Sequence, residues 1–478
     1  MIYMRRFTHT IILGAMVALL CPALLSSCND EETFTTAGDA VLAFSQDTIQ
    51  FDTVFTGLIS TTKRFQVYNR HDKGVHIAHV ELESKGTSGF MMNVDGQNGT
   101  SVSDVQVLHK DSICVFVKVI PPVNTSTEPT KINDAIVFTL ENGKQQKVIL
   151  EASGQNMIAM KGEVLKDNQT FTNEGLPRVV YDSLVVGKDA TLTLAAGTTL
   201  YFHNGASLIV HGKLAIEGTQ ENPVTLRGDR IDKMFPYLPY DRLENQWGGI
   251  QLTASCQGCT LNHADIHSGN YGIRCDSIEG NVSITNSIIH NVAGYGLYLK
   301  DSKALIANTQ ISNSKYDCVS IYGGTADFIH CTIAQFYPWK ADRGHALSVS
   351  NYFGKDEHQI ESVNFYNCFI TGYANDEVFG NPGNLALNLH FYNCVLLTDV
   401  RDETYFSQCT EESKDSATYK ETNFKTFDTD AYIYDFRLDT LSVARGKGSE
   451  TYATLYPTDM NGIERGTKPD AGCYQFKE

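Results

Sequence analysis

Six phrases decide the fold: LNHADI at residues 261–266, ITNSII at 284–289, IANTQI at 306–311, FIHCTI at 328–333, FYNCFI at 365–370 and FYNCVL at 391–396. Each runs apolar, any residue, Asn or His, small residue, any residue, aliphatic. Subtracting the third positions gives 286−263=23, 308−286=22, 330−308=22, 367−330=37 and 393−367=26. A period near 22, stretched in places by insertion, marks a solenoid in which each unit buries its apolar face only against its neighbours.

The residues inside the unit choose the solenoid. They are β-branched, aromatic, Gly and Asn, with no run long enough for two helices and no fixed Leu lattice. Short strands joined by turns, stacked as a parallel β-helix, satisfy this pattern. The chain bends at the Asn or His, because Asn tolerates positive φ better than other non-Gly residues. Stacked Asn side chains then hydrogen-bond from coil to coil. The small residue after the bend (Ala264, Ser287, Thr309, Cys331, Cys368, Cys394) points inward as a column.

These phrases resemble the right-handed parallel β-helix proteins of the pectin-lyase-like superfamily, over about the last two-thirds of the chain. The expected solenoid covers residues 156–400, opening with the regularly spaced strands of DSLVVGKDATLTLAAGTTLYFHNGASLIVHGKLAIEGTQ. Insertions fall near 229–247, 335–345 and 351–361. Pro236 and Pro239 exclude a central strand from the first of them. Residues 401–478 form a tail and cap: Asp459, Asn461, Gly462, Arg465, Pro469, Asp470 and Gly472 resemble the ending of many secreted β-helix proteins. Asp459, Asn461 and Asp470 offer calcium-type oxygens, yet the twelve-residue loop with its closing Glu is missing. No cofactor is predicted.

Residues 40–155 read differently. Alternating stretches such as Arg64–Tyr68, Ile77–Leu82, Ile113–Val117 and Val148–Leu150, separated by turns, argue for a β-sandwich. FQVYN, DSICVFVKV and KVILEASGQ resemble an immunoglobulin-like module. Residues 1–27 carry Arg5 and Arg6, an apolar core from Ile11 to Leu20, and LLSS before Cys28, which is a secretory signal. Leu25-Ser26-Ser27-Cys28 resembles a bacterial lipobox, which implies lipidation of Cys28 and an outer-membrane lipid as partner. The acidic run Asn29–Glu32, within the 28–39 linker, reads as a surface-export signal or as a solvated linker. The location is then the outer membrane, at the cell surface or on its periplasmic face. Asp-Ser/Thr followed by an aliphatic residue or Ala recurs, as at Asp47, Asp182, Asp276 and Asp415, resembling an O-glycosylation motif; strand-starting turns produce the same pattern.

A net charge of −17 on 478 residues excludes a nucleic-acid partner as the leading reading, since phosphates demand a Lys/Arg-rich surface. The 12 cysteines read mainly as buried thiols rather than a disulfide framework; Cys256 and Cys259 lack the second pair a metal site needs. Function is expected at the insertions, where aromatic rings gather beside charge. Tyr237, Tyr240, Trp247, Tyr337, Trp339 and Arg343 are the candidate ligand-binding residues, suited to a polysaccharide whose C–H faces stack on rings. Trp247 is also placed to pack.

Catalytic candidates come from the outward positions. His267 and His290, followed on later coils by Ser312, Ala334 and Thr371, form one column. With Asp265 they make a metal or acid–base patch, or a solvated ladder. Arg274, Asp276, Lys300, Asp301 and Asp317 make a second patch. Polygalacturonase-like enzymes need clustered Asp residues with Gly-His-Gly, and here only Gly344-His345-Ala346 occurs. Arg274 near Asp276 is a thin match to pectate lyases, and the Lys–Arg pair of alginate-lyase-like relatives has no counterpart. Fold does not imply activity. A carbohydrate-binding envelope protein is the leading expectation, with a glycan-cleaving enzyme or a structural adhesin-like protein as rivals.

Overall fold

The computed structural model describes residues 32–413 and 420–477; the signal segment, Cys28 and the Asp415-Ser416-Ala417 motif lie outside them. Among the described residues the secondary structure is almost wholly β, and no helix is long and apolar enough to cross a membrane. The chain divides into two compact units.

The first unit includes residues 32–50, Thr62–Val119 and Ile132–Glu151. Its strands alternate inward and outward residues. In Lys63–Tyr68, Phe65 and Val67 are buried, and in Ser112–Val119 so are Ile113, Val115, Val117 and Val119. One sheet pairs Ala43–Phe44, Lys63–Tyr68, Ser112–Val119, Phe90–Val94 and Gln97–Gly99, antiparallel at every step. A second sheet is built around Gly74–Leu82, antiparallel to both Thr130–Leu140 and Ser101–Val107. Phe138 of the second sheet lies 5.1 Å from Phe44 and 6.4 Å from Phe65 of the first, ring centre to ring centre. The two sheets therefore share one aromatic core.

The second unit is dominated by a parallel sheet of 26 strands. Three strands recur in each layer, and each pairs with its equivalent one layer on. Gly249–Leu252, Gly258–Asn262 and Ala264–His267 pair in parallel with Ile273–Asp276, Asn281–Thr285 and Ile288–Val292. Register is strict, because a one-residue slip would turn every apolar side chain outward. Leu261, Ile284, Ile306, Phe328, Phe365 and Phe391 follow one another across the layers. The last three rings stack with centroids 4.6 and 4.9 Å apart. Pairing runs on past Leu397 through Phe406–Ser407 and Thr410–Glu411.

The bends fall at the third position of each phrase. His263, Asn286, Asn308, His330, Asn367 and Asn393 have φ of 50°, 51°, 46°, 51°, 51° and 52°. The ladder forms where its members allow: Asn286 Nδ2 donates to Asn262 Oδ1 at 2.9 Å, and Asn308 Nδ2 to Asn286 Oδ1 at 3.2 Å. These bonds satisfy amides that a layered core would otherwise strand. The small residues after the bend are buried as a column, and the ten described cysteines are all free thiols.

The tail is more than a loop. Phe424–Asp428 and Ile433–Leu438 form an antiparallel hairpin. With Phe336, Phe369 and Tyr474, the hairpin's Phe424, Phe436 and Leu438 build a second apolar cluster. This cluster covers the outer side of the strands Thr332–Gln335 and Phe369–Gly372. The outward column read from the sequence is correct in register, His267–His290–Ser312–Ala334–Thr371, but Ser312, Ala334 and Thr371 are fully buried. A solvated ladder is thus overturned for these positions, because the tail supplies the apolar surface that buries them. The cap is fixed by carboxylates. Asp459 accepts from the backbone N–H groups of Asn461, Ile463 and Gln475, and Asp470 from those of Gly446 and Phe476.

Candidate functional site

The insertion aromatics do not form one open shelf. Trp247 is 1% exposed, stacks on Phe202 with centroids 4.2 Å apart, and donates its indole N–H to the His267 carbonyl at 2.8 Å. Tyr337 is fully buried, and its hydroxyl donates to Glu244. Both are corrected from ligand-facing to core residues: a large ring with its polar handle satisfied stabilises the flank more when buried than when left in water. Tyr240 lies under the Arg230 guanidinium, 4.0 Å from the ring centre. Arg343 covers Tyr373 at 4.3 Å and donates to the carbonyls of Tyr337 and Lys340. Trp339 is half-buried between Tyr337 and Tyr432. Of the six named residues only Tyr237, 59% exposed and stacked on Phe235, keeps its ring largely in solvent.

The Asp265 patch does come together. His267 Nδ1 lies 2.9 Å and His290 Nε2 3.3 Å from the same Asp265 oxygen, and the imidazole centres are 5.0 Å apart. Burial opposes ionisation of Asp265, but the two imidazoles outweigh it and hold the carboxyl well below the usual range. His267 is buried, while His290 opens into a cleft of about 300 Å³ between the strand face and the tail hairpin. Arg242, Gln310, Ser312, Asn313 and Tyr434 also line it. Arg242 ties the first insertion to the hairpin turn by donating to the Ala431 carbonyl at 3.1 Å.

The Arg274 patch occupies another strand column and is richer than the sequence reading. Asp276 pairs with Lys300 at 2.7 Å and with Arg274 at 3.4 Å. Burial opposes its ionisation, yet Lys300 and Arg274 prevail and keep its carboxyl below the usual range. Asp301 binds His358 at 2.7 Å. Asp317 accepts from Ser320 and from the His345 backbone, and its carboxylate, 3.8 Å from the imidazole, raises the His345 pKa against the pull of burial. Beside these charges runs a row of rings. Tyr271 and Tyr295 stack at 6.3 Å, Tyr295 and Tyr316 lie 5.1 Å apart, and Tyr322 meets Phe353 at 5.1 Å. Tyr316 is 45% and Phe353 42% exposed; Tyr271, Tyr295 and Tyr322 are half-buried. Beneath them Tyr298 is buried under Arg274, its pKa pushed up to about 12 by burial and then by Asp276. The three rim tyrosines were missed in sequence, although 295−271=24 and 316−295=21 repeat the layer period.

No family model matches the chain, and no curated protein matches it. Solved structures show only distant likeness. A family 123 glycoside hydrolase from Clostridium perfringens is 7% identical, over 27% of this chain and 30% of that one, with a TM-score of 0.19. The chain thus spans less than a third of that enzyme's length. The CooA pilin subunit of enterotoxigenic Escherichia coli is 11% identical, over 24% of this chain and 97% of that one, TM-score 0.18. Dex49A from Penicillium minioluteum is 10% identical, over 77% of this chain and 73% of that one, TM-score 0.14.

Proposed function

We propose that this chain is a lipid-anchored envelope protein that binds a carbohydrate polymer along the strand column carrying Arg274, Tyr298 and Ser320. In this reading an immunoglobulin-like sandwich precedes a right-handed parallel β-helix, and Cys28 carries the anchor. The observation behind the binding role is the row Tyr271, Tyr295 and Tyr316 beside the Arg274–Asp276–Lys300 charges. Sugar C–H faces pack on such rings, and hydroxyls bond to the flanking charged groups. Layers repeat at roughly 4.8 Å, so the rings offer successive positions along a chain rather than one closed pocket.

The charge state of Asp276 bears on one catalytic role only, that of a glycosidase's acid. A glycosidase needs one carboxyl kept protonated as an acid. Asp276, flanked by two cations, is held ionised instead. The test is a glycan array probed with the full chain, alongside an assay for new reducing ends on the same polymers. Binding to one glycan class without new ends supports the role. Steady release of reducing ends replaces it with an enzymatic one, and no binding to any glycan rejects it.

A further inference from the structure

We propose that Asp265, His267 and His290 form a binding site for one borderline divalent transition-metal ion of the zinc class, with an open position facing the cleft beneath the tail hairpin. The site lies on a different strand column from the tyrosine row and is independent of the carbohydrate reading. Its donor set is two imidazole nitrogens and a carboxylate oxygen, which suits zinc-class ions and not calcium or magnesium, which take oxygen. One donor atom from each residue lies within 4.8 Å of the others. A tetrahedral ion with bonds of about 2.0–2.1 Å sets its ligand atoms about 3.3 Å apart. Two edges of the donor triangle, 2.9 and 3.3 Å from the nitrogens to the Asp265 oxygen, are near that spacing, and the nitrogen–nitrogen edge falls within 4.8 Å.

The fold holds these donors in place. His267 and His290 are paired in register on adjacent parallel strands, and Asp265 is two residues before His267 on the same strand. Trp247 clamps the His267 backbone through its indole N–H, so the deeper imidazole is placed by core packing. Three protein ligands on a tetrahedral ion leave one position, as in zinc sites that keep a place for water or substrate. Here that position faces the cleft, because His290 lines it.

A second observation points to an occupant there. Asn313 lines the same cleft, is 2% exposed, and its Oδ1 has no hydrogen-bond partner, although its Nδ2 donates to Asn291. The Tyr434 hydroxyl on the opposite wall is likewise buried and unpartnered. Buried polar atoms normally have partners. A ligand that extends from the ion's open position into the cleft would find both atoms on its walls.

The experiment uses the full chain in detergent, stripped with chelator and titrated with Zn²⁺ and, separately, Co²⁺. The expected result is one ion per chain, with visible Co²⁺ bands of a four-coordinate nitrogen–oxygen site. Zn²⁺ also raises the melting temperature, since it binds the folded state. His290→Gln should weaken binding at least a hundredfold and abolish the Co²⁺ bands and the thermal shift, while His79→Gln changes none of them. His290 is partly exposed, so its variant keeps the core, whereas His267→Gln is the more disruptive second variant. Absence of one-to-one binding, or binding that survives in a folded His290→Gln protein, overturns the assignment.

Discussion

Trp339 stacks on Tyr432 with 5.6 Å between ring centres and 21° between planes, joining the second insertion to the turn of the tail hairpin. Arg242 of the first insertion reaches the neighbouring Ala431 carbonyl. Two segments distant in sequence thus hold the hairpin against the strand face. Replacing Tyr432 by Ala should cost about 0.5–1.5 kcal/mol beyond lost area. The effect should be local: hydrogen exchange quickens across residues 424–438, while the strands of the stacked layers keep their protection.

Trp247 and Tyr237, both named as sugar contacts from sequence, should behave oppositely. Trp247→Ala empties a buried site against Phe202 and should cost about 3–5 kcal/mol in denaturant unfolding. Tyr237→Ala, at an exposed ring, should shift stability by less than about 0.5 kcal/mol.

What the sequence revealed and what it concealed divide on physical grounds. The bends were legible because positive φ restricts residue choice, leaving Asn or His at 263, 286, 308, 330, 367 and 393. The inward column was legible because every position after the bend carries a small residue, Ala264, Ser287, Thr309, Cys331, Cys368 or Cys394. The insertion aromatics were not, since an aromatic residue in an irregular segment packs down or faces water with the same composition. Trp247 and Tyr337 pack down. The hairpin at 424–438 was hidden for a related reason: its Phe424, Phe436 and Leu438 pack on a neighbour distant in sequence, which no local period records. His267 and His290 were placed correctly, as neighbours in register need only the repeat length.

Asn308 carries both a bend and a cation. Its Oδ1 accepts from the buried Arg465, whose pKa burial pushes down to about 10, and its φ is 46°. Asn308→Ala should destabilise by about 1.5–3 kcal/mol, because it removes the acceptor of the buried Arg465 guanidinium. Asn308→Gly removes the same acceptor but suits the bend, so it should be less damaging by about 1 kcal/mol. Paired denaturation curves measure both.

His76 sits between Asp104 and Glu141, with Glu141 2.7 Å from Nδ1. The hydrogen bond to Asp104 raises its pKa, burial opposes, and Glu141 adds to the rise. A folded pKa above the unfolded value gives stability that is complete below about pH 6.5 and is lost as pH rises through the folded value. The gap in denaturation midpoint between wild type and His76→Gln should therefore be widest in mild acid and close toward alkaline pH. A gap that widens with pH would refute this pairing.

The free thiols should separate by burial. Cys331, Cys368 and Cys394 are fully buried, and burial raises their pKa values well above the usual range. Cys409 is only partly buried, and a hydrogen bond from Cys394 lowers its pKa. Native alkylation followed by peptide mapping should label Cys409 and the partly exposed Cys114 first. The three stacked thiols should react only after unfolding.

Calorimetric titration of Tyr316→Ala is the sharpest check on the proposal that the tyrosine row holds a glycan. With the strongest glycan from the array, the variant should bind at least about tenfold more weakly than wild type, or ~1.4 kcal/mol. Tyr237→Ala should remain within about twofold of wild type, since its ring lies outside the row. Unchanged affinity in a folded Tyr316→Ala protein would remove the tyrosine row from glycan binding.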